Sequence, residues 1–184
     1  MAKPPKRRSL SLALQGGGSH GAYTWGVLDR LTEEADLDLA GISATSAGAV
    51  NAVAWASGFA KDGADGAKAS LESVWRSVSR SGSGMAPFGT WGAMAFAYAS
   101  ALQSLASPYD LNPFNLNPLR QIIEGEIDFD AIHASGIKLF LSATNVESGR
   151  VKVFDRTMIT ADTVLASACL PQVFQAVEVD GNPY

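Results

Sequence analysis

The sequence predicts an α/β fold on a parallel sheet, and three observations predict it. Apolar runs at 9–14 and 39–45 read as buried strands, the first buried on both faces. Each is followed by a stretch that reads as a helix. Each strand-to-helix junction is short and made of glycine and other small residues, which fits the right-handed crossovers of parallel sheets.

Taken in order, the strand at 9–14 leads into a helix at 21–34, with Tyr23, Val27, Leu28 and Leu31 at helical spacing. The strand at 39–45 leads into a helix of small residues at 47–57, which Gly58 is expected to end. A polar turn at 61–66 precedes a helix at 67–78, with Leu71, Val74, Trp75 and Val78 on one side. The stretch 81–84 is a glycine-serine link. No charged residue occurs from Ser81 to Tyr109. Within that stretch, 91–106 is an alanine-rich helix carrying Trp91, Met94, Phe96, Tyr98, Leu102 and Leu105. It falls short of the ~20 residues of a membrane span. Two readings stay open for it, a buried core helix and an apolar lid or membrane-contacting flap over a lipid site. A proline-punctuated loop at 107–118 and a short helix at 119–124 follow. Strands at 138–144 and 150–154 flank a turn at Glu147-Ser148-Gly149. A helix at 160–169 starts on a threonine cap and stops before Pro171. Val177 to Asp180 reads as a strand entering an Asp-Gly hairpin turn.

The 184 residues suffice for one domain with a sizeable core. Apolar residues make up 47% and charged residues 17%, a globular composition. A net charge of −4 and a pI near 5.1 argue against nucleic acid as a partner. Lys3, Lys6, Arg7 and Arg8 make residues 1–8 a basic tail before a domain at 9–184. The tail is either simply solvated or a weak anchor to anionic lipid, each basic residue contributing ~1 kcal/mol there. The apolar run from Leu10 to Leu14 is too short for a secretory signal and runs into glycines, so a cytoplasmic location is expected, with peripheral membrane contact through 91–106. The single cysteine, Cys169, excludes an intrachain disulfide and reads as a small core residue. The two histidines, His20 and His133, show no metal-ligand spacing, and His133 reads as an exposed surface histidine.

Two segments carry chemistry. Gly16-Gly17-Gly18-Ser19-His20-Gly21 offers unhindered backbone N–H groups at a helix start, an anion site. It fits the glycine pattern of dinucleotide-binding sheets. That reading needs an acidic residue closing the second strand, and Asp36 and Asp38 precede it instead. The second strand ends in Ala44-Thr45-Ser46-Ala47-Gly48, which puts Ser46 on a sharp strand-to-helix turn among small neighbours, as in a nucleophile elbow. The bland alternative for Ser46 is an ordinary helix cap. His20 is a candidate general base, although a helix N-terminus disfavours a protonated ring.

Together with Asn112-Pro113-Phe114-Asn115-Leu116-Asn117-Pro118-Leu119-Arg120 and Ala166-Ser167-Ala168-Cys169-Leu170-Pro171, these segments resemble a bacterial patatin-like phospholipase from Ser9 onward, in the family's order. The resemblance implies a three-layer α/β fold on a mixed, mostly parallel sheet. It implies hydrolysis of lipid acyl esters by a Ser–Asp dyad, without metal, cofactor or histidine base. By the match Ser46 is the nucleophile, and Ala44, Ala47 and Gly48 build its elbow. The oxyanion hole is formed within Gly16, Gly17, Gly18 and Gly21. His20 stands where the family often has Arg or Lys, and Ala44 where it has Gly. The family's aspartate lies in an Asp-Gly-Gly or Asp-Gly-Ala motif, whereas Asp180-Gly181 is followed by Asn182. Asp180 is therefore expected in a surface hairpin, with the true acid just past the position of Tyr184. On that expectation the chain is an N-terminal portion, truncated at its C-terminal side, and the activity of the 184 residues alone is left open. The alternatives are Asp180 as the acid, a catalytically incomplete fragment or lipid-binding module of the same fold, and, more remotely, a dinucleotide-binding domain.

Overall fold

A computed structural model describes residues 8–83, 107–171 and 174–184. The expected lid or core helix at 91–106 lies outside the described residues, as does the basic tail up to residue 7. Strand β1 (Arg8–Leu14) is followed by α1 (Gly21–Thr32), β2 (Leu37–Ala44) and α2 (Ala47–Ser83). Then come α3 (Pro108–Leu111), α4 (Pro118–Glu126), α5 (Phe129–Ala134), β3 (Leu139–Thr144), β4 (Val151–Asp155) and α6 (Ala161–Ser167). A two-stranded hairpin, β5 (Glu178–Val179) and β6 (Asn182–Pro183), comes last. The main sheet has four strands in the order β1-β2-β3-β4, with the first two pairings parallel and the last antiparallel. The sheet is thus mixed and mostly parallel, as the resemblance implies.

Alternation along the strands separates two faces. Ile42, Ala44, Leu139, Leu141, Ala143 and Phe154 are buried, the last two in a small cluster with Tyr184, the others in the main core with Leu28, Val53, Trp55, Leu71 and Val164. On the other face Ser11, Ala13, Ser43, Phe140, Val151 and Val153 are exposed. Among the described residues the helices therefore cover one face only. The helix starts follow the capping rules: Asn117, Asp128 and Thr160 have extended backbones, and each side chain accepts an N–H from the first turn. Lys61 and the Ala131 N–H hold the Asp128 carboxyl below the usual carboxylate range. No helix among the described residues is long and apolar enough to cross a membrane.

The expected stop at Gly58 is overturned. The helix continues past it, and the break falls at Asp62 (φ −144°, ψ 35°) and Gly63 (φ 53°, ψ −136°), inside the expected polar turn. Left-handed φ at Gly63 is where glycine is needed. Arms 47–61 and 64–83 fold back antiparallel, since Gly58 meets Gly66 near the break and Asn51 meets Trp75 further from it. Gly58 serves this crossing: a Cβ there would lie 2.1 Å from the Gly66 carbonyl oxygen. Helices α3 and α5 escaped the sequence reading because runs of four and six residues show no usable period.

Gly58→Val sets a small gain in helix propensity, under about 1 kcal/mol, against direct collision with backbone. We expect a net loss of about 2 kcal/mol or more in urea denaturation. A variant as stable as the parent would show that the arms do not cross at this point.

Candidate active site

The carboxyl ends of β1 and β2 lie side by side, because the register pairs Leu14 with Ala44. The glycine loop after β1 and the Thr45-Ser46 turn after β2 therefore share one edge of the sheet. They are in contact: a Cβ on Gly16 would lie 2.8 Å from Ser46 Cβ and 3.3 Å from its Oγ. A Cβ on Gly48 would lie 2.2 Å from the Leu14 carbonyl oxygen, so the first turn of α2 sits directly on the end of β1. Thr45 N–H donates to that same Leu14 carbonyl at 3.1 Å. Ala44 and Ala47 are both buried, 6% and 7% exposed, which leaves no room for larger side chains on either flank.

Ser46 does not behave as a helix cap. Its φ is +53°, left-handed for a non-glycine residue, whereas the three capping residues above are extended. Among the described residues its Oγ makes no hydrogen bond at all. Its backbone N–H donates to Ser167 Oγ at 2.9 Å, across 121 positions of sequence. A left-handed serine costs on the order of 1–3 kcal/mol, so the surroundings must hold it there.

The four glycines of the loop divide. Gly16 makes the close approach to Ser46. Gly18 has φ +56° and opens a short 3-10 turn at Gly18–His20. Among the described residues the N–H groups of Gly17 and Gly18 donate to no acceptor. Gly21 differs: its N–H is engaged by the Gly18 and Ser19 carbonyls, and a Cβ there would lie 2.6 Å from the Trp75 ring and 2.9 Å from Ala47 Cβ. Gly21 is thus a packing glycine, with its N–H already taken. His20 Nδ1 donates to the Gly17 carbonyl at 3.0 Å, which fixes the proton on that nitrogen and braces the loop.

A cavity of about 700 Å³ opens beside the turn, lined by Thr45, Ser142, Thr144, Ser167, Cys169 and Tyr184 among others. No carboxylate among the described residues lines it. Asp180 (φ +50°) and Gly181 (φ +72°) form the exposed two-residue turn of the β5–β6 hairpin. No hydrogen bond joins Asp180 to Ser46. Tyr184 packs edge-on against Phe154 at 5.5 Å and exchanges backbone hydrogen bonds with Val177, which anchors the hairpin. Cys169 is half-buried at the cavity wall, and burial pushes its thiol up, away from nucleophilic thiolate. His133 corrects the expectation of an exposed histidine: it is half-buried, and its Nε2 donates to the Ile159 carbonyl at 2.7 Å. Among the described residues no three metal-ligating side chains converge.

The family model for patatin-like phospholipases matches residues 12–184. The chain belongs to that family. A search among curated proteins found no match. Membership in the patatin-like phospholipases carries the general class of function, hydrolysis of lipid acyl esters, and a lipid as substrate.

Sequence reasoning missed two residues that hold this patatin-like site together. Asn51 is fully buried; its Nδ2 donates to the Gly21 carbonyl (2.9 Å) and the Ala47 carbonyl (3.1 Å), and its Oδ1 accepts from Trp75 Nε1 (2.8 Å). It ties the start of α1, the start of α2 and the returning arm of α2 into one unit. The available signal was a lone polar residue within the small, apolar run 47–56. Ser167 was visible only as part of the Ala166-to-Pro171 segment. Asn51→Leu would leave the Trp75 indole N–H buried without a partner and remove the amide's bonds to the Gly21 and Ala47 carbonyls. Each such group costs about 1–3 kcal/mol, so the midpoint of thermal unfolding should fall by roughly 5 °C or more. An unchanged midpoint would mean that these bonds carry no net stability.

Proposed function

We propose that this protein cleaves lipid acyl esters with Ser46 as the nucleophile and an aspartate as the base. The observation that carries the reading is the left-handed backbone of Ser46, which leaves its Oγ unbonded against the glycine loop. A serine held this way is presented for attack and is no longer available to cap its own helix. Oγ attacks the ester carbonyl, forming a tetrahedral adduct whose oxygen becomes negative. We assign that charge to the N–H groups of Gly17 and Gly18, which donate to no acceptor among the described residues, and the positive end of α2 adds to them. Collapse expels the alcohol and leaves an acyl group on Ser46, which water then removes.

The base must take the Ser46 proton. An unperturbed aspartate, with a pKa of about 3.9, is poorly matched to a hydroxyl. It has to be desolvated to gain basicity. Asp180 sits in an exposed turn and shares no hydrogen bond with Ser46, which speaks against it as that base. That no carboxylate among the described residues lines the cavity favours a second reading, a lipid-binding unit without turnover.

The test is labelling of the full-length protein by a fluorophosphonate, together with a short-chain ester assay. Ser46→Ala should abolish the label and lower kcat on the order of 10⁶, as loss of a serine nucleophile does in subtilisin. Labelling that survives the substitution would overturn the assignment. His20→Ala should lower kcat by less than about tenfold, because its imidazole braces Gly17 and takes no proton from Ser46. Complete loss on that substitution would restore a histidine-base mechanism.

A further inference from the structure

A nucleophile elbow must fix the direction of one backbone N–H as well as one Oγ, and in this protein the N–H of Ser46 is fixed by a distant side chain. We propose that Ser167 is a positioning residue for Ser46, an inference that rests on the nucleophile reading above. Ser46 precedes the first turn of α2, so its N–H has no partner within the helix. In the left-handed conformation this N–H leaves the sheet ladder too. Its acceptor is Ser167 Oγ at 2.9 Å. Alternative backbone conformations of Ser46 are accessible at lower intrinsic energy. An acceptor held from outside the turn is what makes the left-handed one specific.

Ser167 is well placed to serve as that outside anchor. It is the last residue of α6. The other end of α6 is pinned by a reciprocal cap between Thr160 and Thr163. Between the two ends, Thr163, Val164, Leu165 and Ala166 are buried. The helix packs on β3, the strand beside β2, so the anchor and the elbow are referred to the same sheet. The hydroxyl uses one lone pair on Ser46 N–H and keeps its proton. Ser167 also lines the cavity beside Thr45, on the side of the elbow.

The role predicts a particular pattern in the variants. Ser167→Ala removes the acceptor and frees the turn, while Ser167→Thr keeps a hydroxyl at the same atom. In the full-length protein, Ser167→Ala should slow fluorophosphonate labelling of Ser46 and lower kcat by about tenfold or more, the size expected for one unsatisfied half-buried donor. KM for a short-chain ester should stay within about threefold, because the anchor aligns the nucleophile and does not bind the substrate. Ser167→Thr should recover most of the labelling rate. Unchanged labelling in a folded Ser167→Ala protein overturns the proposal, as does equal slowing by Ala and Thr. If Ser167→Ala fails to fold, Ser167→Cys decides, since sulfur keeps the volume and accepts weakly: labelling at the parent rate in a folded Cys variant overturns the proposal as well. Failure of the nucleophile reading looks different. There the parent protein carries its label elsewhere than Ser46, and both assignments fall together.

Discussion

The turn that carries Ser46 exists because the first turn of α2 lies on the end of β1 with no side chain between them. Gly48 makes this contact, its missing Cβ leaving the Leu14 carbonyl where any other residue would put an atom at 2.2 Å. Leu14 then accepts the Thr45 N–H, which ties the last residue of one strand to the first residue after the next. Gly16 uses the same device one step along, letting its backbone approach the Ser46 side chain. Three things follow from this single close approach. The chain must turn sharply after β2, Ser46 sits on that turn with a left-handed backbone, and the glycine loop lies against its side chain. A side chain at either glycine would collide with the Leu14 carbonyl or with Ser46.

Holding that arrangement requires supports that come from elsewhere in the chain. Asn51 joins the starts of the two helices and the returning arm of α2, and the contact of Gly58 with Gly66 sets how closely that arm returns. Ser167 reaches the turn from α6. All of these groups lie on the covered face of the sheet, where low exposure makes their hydrogen bonds worth more and their loss more costly. Two helical starts lie close to Ser46, the 3-10 turn at Gly18 and α2 at Ala47, and each start carries partial positive charge. Burial pushes the Cys169 thiol up.

The face left uncovered by the described residues follows from the same strand pattern. Parallel strands usually bury both faces, and the sequence read 9–14 that way. In the structure Ser11, Ala13 and Ser43 are small enough to tolerate exposure, whereas Phe140, Val151 and Val153 are large and exposed on the same side. The strands therefore have one strongly apolar face and one mixed face.

The sequence alone determined the order of strands and helices around the site, since period and glycine spacing are local properties. It determined Ser46 as the residue on a sharp turn, Asp180-Gly181 as a hairpin turn and the α6 cap at Thr160. Boundaries shifted by one or two residues at several ends, as at Arg8 for β1 and Leu37 for β2. What the tertiary structure alone decided is which glycine does what. Gly58 looked like a helix stop and is a crossing point, and Gly21 looked like an oxyanion donor and is a packing surface for Trp75. Glycine's local effect is only to permit. Whether the permission serves a left-handed turn, a helix crossing or a contact with an indole ring depends on the neighbour that folding brings, 8 residues away for Gly66 and 54 for Trp75. Ser167 is the extreme case, because no local rule connects a hydroxyl at the end of α6 with an N–H 121 positions earlier.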